Sequence, residues 1–182
     1  MGAGPQINVL APWSLTPGQT TEVCVLYNVV AFFHAVETNC LTWPVAQTAP
    51  GVFTVDGRYA AALNQNGTVN SAENPAPLNS IVTVFATGLG PITPPQADGT
   101  LVGSPLPTND LPVTVSSVFP SQGGVESVNL NVTYAGPAPN SVAGMSEIKF
   151  EIVNNVWLLL SLPSLPTDQG FSQLFSVYVA GQ

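Results

Sequence analysis

Ile81-Val82-Thr83-Val84-Phe85-Ala86, closed by Gly88-Leu89-Gly90-Pro91, is the stretch that sets the fold class. β-Branched and aromatic residues alternate over six positions, the period of a half-buried strand, and the glycine-proline cluster stops the run. The same kind of run recurs at 7–10, 21–27, 52–55, 58–63, 113–118, 128–134, 148–153 and 175–179. In 21–27 the period places Val23, Val25 and Tyr27 on one face, and in 128–134 it places Val128, Leu130, Val132 and Tyr134 together. Asp56-Gly57 and Asn66-Gly67 are preferred hairpin turns, because their central residues tolerate positive φ. The 18 prolines and 16 glycines are spread along the chain, and no window carries a 3.6-residue apolar period. Many short strands at this spacing predict an all-β sandwich or barrel.

The composition narrows the function classes. Apolar residues make up 45% of the 182 residues, enough for a packed core, while charged residues make up only 7%. The average soluble protein has about 25% charged residues, so the solvent face here is built from Thr, Ser and Asn. Arg58 and Lys149 are the two basic residues and the net charge is −8. Phosphate backbones and anionic membrane surfaces both call for clustered Lys and Arg, so neither is an expected partner. The best charge-free run, 24–36, is about 13 residues long against the ~20 a spanning helix needs, so no membrane insertion is expected. Met1-Gly2-Ala3-Gly4-Pro5 lacks the basic start and apolar region of a signal peptide, so an exported form would have lost its leader or been cut from a longer chain.

Cys24 and Cys40 are the two cysteines, too far apart for a CxxC redox or zinc motif. Each sits in a β-like run. A cross-strand disulfide is expected in an oxidising compartment, the alternative being two buried free thiols. A bridge closing that loop would stabilise by about 3 kcal/mol in the chain-entropy view.

The chain also repeats itself loosely. Gln6-Ile7-Asn8-Val9, Trp13, Ser14-Leu15-Thr16-Pro17-Gly18-Gln19 and Val23-Cys24-Val25-Leu26-Tyr27 are echoed by a second set in the same order. That set is Glu147-Ile148-Lys149-Phe150, Trp157, Ser164-Leu165-Pro166-Thr167-Asp168-Gln169 and Phe175-Ser176-Val177-Tyr178. Residues 1–48 are therefore expected to be the closing half of a repeat unit, and 49–182 a complete one.

Further motifs have a fixed order. They are Ala49-Pro50-Gly51-Val52-Phe53-Thr54, Ala60-Ala61-Ala62-Leu63-Asn64-Gln65-Asn66-Gly67-Thr68-Val69-Asn70, Asn74-Pro75-Ala76, the segment from Ser80 to Pro91, Leu111-Pro112-Val113-Thr114-Val115, and Tyr134-Ala135-Gly136-Pro137-Ala138-Pro139. Together they resemble the C-terminal β-sandwich domain of long secreted proteins of Acidobacteria such as Solibacter. The resemblance covers most of the chain. It implies an immunoglobulin-like sandwich in an extracellular setting, and it does not imply a catalytic site. The chain departs from that pattern at 116–127, which is longer and more irregular than the usual turn, and at 154–171, where Trp157-Leu158-Leu159-Leu160 replaces a polar turn. Both departures are interface candidates.

No motif predicts catalysis. His34 is the lone histidine, no G-x-S-x-G elbow accompanies it, and one His with two Cys is short of a four-ligand zinc site. Gly88-Leu89-Gly90-Pro91 lacks the glycine and lysine of a nucleotide loop. Glu147, Lys149 and Glu151 alternate and read as a mixed-charge strand face rather than a glycosidase pair. Asp98 and Asp110 lack calcium-ligand spacing. Asn66-Gly67-Thr68 and Asn131-Val132-Thr133 match the glycan-acceptor pattern, which is accidental in most bacterial chains.

The expected protein is thus non-enzymatic, uses no cofactor or metal, and is secreted or cell-surface. A half-unit of strands cannot bury its apolar face alone. Ile7, Val9, Val23, Val25 and Tyr27 are therefore the expected assembly segment of a homo-oligomer joined by β-strand contacts, in a filament or surface layer. The alternative is a glycan-binding or adhesion module that uses Trp13, Trp43 and Trp157.

Overall fold

The computed structural model describes residues 7–29, 34–57, 59–121, 124–152 and 174–179. Every regular element among them is a β-strand, and the chain divides into two compact units, Met1–Gln47 and Thr48–Gln182. Among the described residues no helix is long and apolar enough to cross a membrane.

The first unit contains β1 (Thr20–Val23), β2 (Leu26–Val29), β3 (His34–Glu37) and β4 (Leu41–Pro44). β1 pairs antiparallel with β4, from Thr20↔Pro44 to Val23↔Leu41, and β2 pairs antiparallel with β3, from Leu26↔Glu37 to Val29↔His34. The two ladders join into one ribbon. Extending the outer register places Cys24 opposite Cys40, whereas Val25 already answers Thr38, whose N–H donates to Val25 O at 2.9 Å. Asn39 is the extra residue, a bulge that breaks the ladder between the two sections. The run 21–27 reads as one strand; it is interrupted here at Cys24 and Val25, where this bulge falls. The run 7–10 forms no strand, and Ile7 and Val9 are exposed. A four-residue alternating run becomes a strand only where a neighbour takes up its backbone groups, and no described strand pairs with it.

The second unit contains β5 (Gly51–Val52), β6 (Ala62–Leu63), β7 (Ile81–Thr87), β8 (Ile92–Thr93), β9 (Thr108–Asn109), β10 (Val113–Ser121), β11 (Gly124–Leu130), β12 (Val132–Pro137), β13 (Ser146–Glu151) and β14 (Leu174–Val179). One antiparallel sheet runs β12-β13-β7-β5, with β6 also on β7, and a second runs β11-β10-β14; β8 and β9 form a small pair. Val82, Val84 and Ala86 of β7 are buried while their strand neighbours are partly exposed, the alternation that the opening sequence predicts. They pack in one apolar cluster with Ile148 and Phe150 of β13 and with Val115, Leu130 and Val179 of the second sheet. Two antiparallel sheets sharing one core are consistent with a β-sandwich. Each fully buried aliphatic side chain, such as Ile148 or Val84, contributes about 1.5–3 kcal/mol.

Three details differ from the sequence reading. The run 128–134 reads as one strand, yet it passes from one sheet to the other at Asn131, between β11 and β12. Glu151 N–H donates to Asn131 O at 3.0 Å, Asn131 Nδ2 donates to Glu151 Oε2 at 3.3 Å, and the β12–β13 register shifts between Val132 and Tyr134. The segment 116–127 reads as an irregular insertion, yet β10 and β11 pair continuously from Val115↔Leu130 to Ser121↔Gly124. At Asn66-Gly67 only the glycine has positive φ, +80°. Gly67 N–H donates to Asn64 O and Asn64 N–H to Thr68 O, both at 2.8 Å. That pattern is the longer hairpin form with a left-handed glycine rather than a two-residue turn.

Candidate functional site

The ribbon of the first unit is the surface that the expected assembly residues single out. Residues two apart share a face of a strand, and register fixes what lies opposite. Val23 faces Leu41 across the ladder, and Thr21 faces Trp43. Val25 continues that face beyond the bulge. Val23 is 47% exposed, Leu41 55% and Trp43 56%. The opposite face carries Thr20, Pro44, Glu22, Thr42 and the bond between Cys24 and Cys40. The ribbon is therefore two-sided, with one face mostly apolar and open and the other mostly polar. An alternating strand normally lays its apolar face on a core, yet none of residues 7–26 and 37–47, whose side chains are described, is buried.

The remaining expected site residues fall in several places. Ile7 and Val9 are 65% and 79% exposed but outside any strand, so they do not extend the ribbon face. Tyr27 pairs with Val36 through the backbone of β2, and its side chain lies outside the described residues, as does that of His34. Trp157 lies wholly outside them. Trp13 is 38% exposed in the segment before β1. The sequence reading misses Leu41, because it follows only the first arm; the exposed partner arm 41–44 is too short and too proline-rich to declare its alternation.

Cys24 and Cys40 form a disulfide, with Cα atoms 4.4 Å apart, the spacing of directly opposed residues in a non-hydrogen-bonded pair. Both cysteines are exposed. Glu37 Oε1 lies 3.8 Å from Cys40 Sγ, a contact without a donor because an oxidised sulfur carries no proton. Potential ligand atoms of Cys24, Glu37 and Cys40 fall within 4.8 Å of one another, but the two sulfurs are committed to each other. Asp98 and Asp110 do not join any such group of three among the described residues.

Two polar clusters lie in the second unit. Asn64 is buried and fully engaged: its Nδ2 donates to Thr68 Oγ1 at 3.3 Å and to Asn74 O at 3.0 Å, and its Oδ1 accepts from Asn70 Nδ2 at 2.8 Å. A shallow cleft of about 450 Å³ beside it is lined by Gln65, Asn66, Asn74, Pro75, Pro77 and Ser80. It holds no ionisable group, so it offers hydrogen bonds but no acid, base or nucleophile. The other cluster lies on β13. Lys149 Nζ is 2.7 Å from the buried Glu147 Oε1 and 5.3 Å above the Tyr134 ring. Glu147 Oε1 has no well-aligned hydrogen bond. At 2.7 Å the ion pair is its compensation, because Coulomb attraction does not need the donor geometry. Tyr134 donates its hydroxyl to Pro137 O at 2.8 Å. Burial, and secondarily the negative charge of Glu147, push its phenol above the ordinary value. The pair rests on one strand, and among the described residues the site consists of this ion pair and the Tyr134 ring over which Lys149 lies.

Neither family models, nor curated proteins, nor solved structures provide a match for this chain.

Proposed function

We propose that the protein is a non-catalytic extracellular structural subunit that self-associates through its β-ribbon. The observation that carries this reading is the exposed apolar face formed by Val23, Val25, Leu41 and Trp43. An open apolar patch of this kind marks an interaction surface, and a two-stranded ribbon gains little stability until a partner covers it. The motif resemblance to secreted Acidobacteria domains supports the setting outside the cell. The strand order supports an immunoglobulin-like sandwich: β5-β7-β13-β12 follows A-B-E-D, and β11-β10-β14 follows C′-C-F. No described strand stands at the next position, on the side of β14 away from β10. That edge is where a strand of a second copy adds, giving a head-to-tail contact that propagates. The few charges, 7% of residues, weaken repulsion between copies.

Size-exclusion chromatography with negative-stain microscopy tests the reading. The expected result is concentration-dependent oligomers or filaments that Trp43→Ser disperses. A strict monomer at high concentration overturns it. The half-exposed Trp43 favours a second reading, a glycan-binding module, because exposed indole faces stack on sugar rings. A glycan array without binding above background removes it.

A further inference from the structure

We propose that the Cys24–Cys40 bond is a redox latch, whose reduction dissolves the ribbon while the second unit stays folded. None of the first-unit residues 7–26 and 37–47, whose side chains are described, is buried, so no apolar core packs around β1, β4 or the bond. Its ladders are four register pairs on each side of the bond, and Asn39 interrupts them at the bond itself. Isolated two-stranded hairpins are marginal in water, so the covalent link supplies what a core supplies elsewhere. Both cysteines are exposed, which gives a reductant direct access to sulfur. The second unit contains no cysteine and has its own two-sheet core.

The reductant is a dithiol of the thioredoxin class. Its thiolate attacks one sulfur, forms a mixed disulfide and releases the other cysteine as a thiolate, which takes up a proton. The second reductant thiolate then attacks the mixed disulfide and releases the remaining cysteine, which is protonated in turn. Two electrons pass to the protein, and the reductant leaves as its own disulfide. Resting on the assembly reading above, association is then redox-gated: oxidised chains join and reduced chains separate.

Hydrogen exchange on the full chain, oxidised and after dithiothreitol, tests the latch, with limited chymotrypsin cleavage within 20–44 as a second measure. Reduction is expected to speed ribbon exchange and cleavage about a hundredfold, the factor equivalent to the loop-closure stabilisation, with β7 and β13 protection unchanged. The double variant Cys24→Ser, Cys40→Ser reproduces the reduced behaviour without reagent. Ribbon protection that survives reduction overturns the latch, and so does loss of protection in β7 and β13. Chromatography of both forms separates the two ideas. An oxidised form that stays monomeric, with a ribbon that still opens on reduction, removes the assembly reading and supports the latch.

Discussion

Replacing Gly88 with alanine tests how β5 is held against β7. Gly88 follows the last residue of β7 with φ of +71°, and its carbonyl accepts Ala49 N–H at 2.9 Å. A Cβ built there would overlap the carbonyl of Ala49. The substitution therefore carries two costs. The left-handed conformation costs an L-residue about 1–2 kcal/mol. The overlap forces the Ala49 backbone away, losing that hydrogen bond, about 1 kcal/mol net, and disturbing the adjacent Gly51↔Thr87 and Val52↔Ala86 pairs. We expect a total loss of about 3 kcal/mol. Gly67 is the internal control: its φ is +80° but no atom lies within 4 Å of an added Cβ, so Gly67→Ala should lose only the conformational part, about 1 kcal/mol. Urea unfolding of both variants, followed by circular dichroism, measures the contrast. Equal losses in the two variants would refute the reasoning, because the close approach of Ala49 would then carry no cost.

Ile148→Ala removes a fully buried side chain from the shared core and should cost 2–5 kcal/mol in the same assay, roughly the range for such truncations. Asn64→Leu removes the acceptor of Asn70 Nδ2 and one of the two donors to Asn74 O, and should lower stability by about 1–3 kcal/mol, read as a lower urea midpoint. Tyr134 should ionise above the ordinary tyrosine value when phenolate absorbance is followed into alkali, and Tyr134→Phe should delete that late component. Because its folded value is raised, its contribution to stability is complete below the unfolded pKa and is lost as pH climbs through the higher folded one.

Much of the second unit is legible in the sequence because its strands alternate over long runs. β7 alternates in burial over its length, with Val82, Val84 and Ala86 inside, and the end of β13 does the same, with Ile148 and Phe150 inside and Lys149 and Glu151 partly exposed, so the two-residue period is the signal the sequence carries there. The two-residue pieces β5, β6, β8 and β9 are too short for any period to register, and backbone pairing alone makes them strands. The corner at Asn131 hides because side-chain alternation continues through it; nothing in the run 128–134 signals that its two halves pair with different partners. In the ribbon, Val23 and Val25 are visible from sequence, but their exposure is not. Alternation announces an apolar face and is silent on whether anything covers it.

The corner at Asn131 has a mechanical consequence. A single covalent backbone crosses from β11 in one sheet to β12 in the other, and Asn131 is tied by two hydrogen bonds to Glu151 at the end of β13. The two layers are riveted along that side. Tension transmitted into one layer reaches the other there through the chain as well as through the shared apolar core, so parting the layers on that side requires breaking the two Asn131–Glu151 hydrogen bonds.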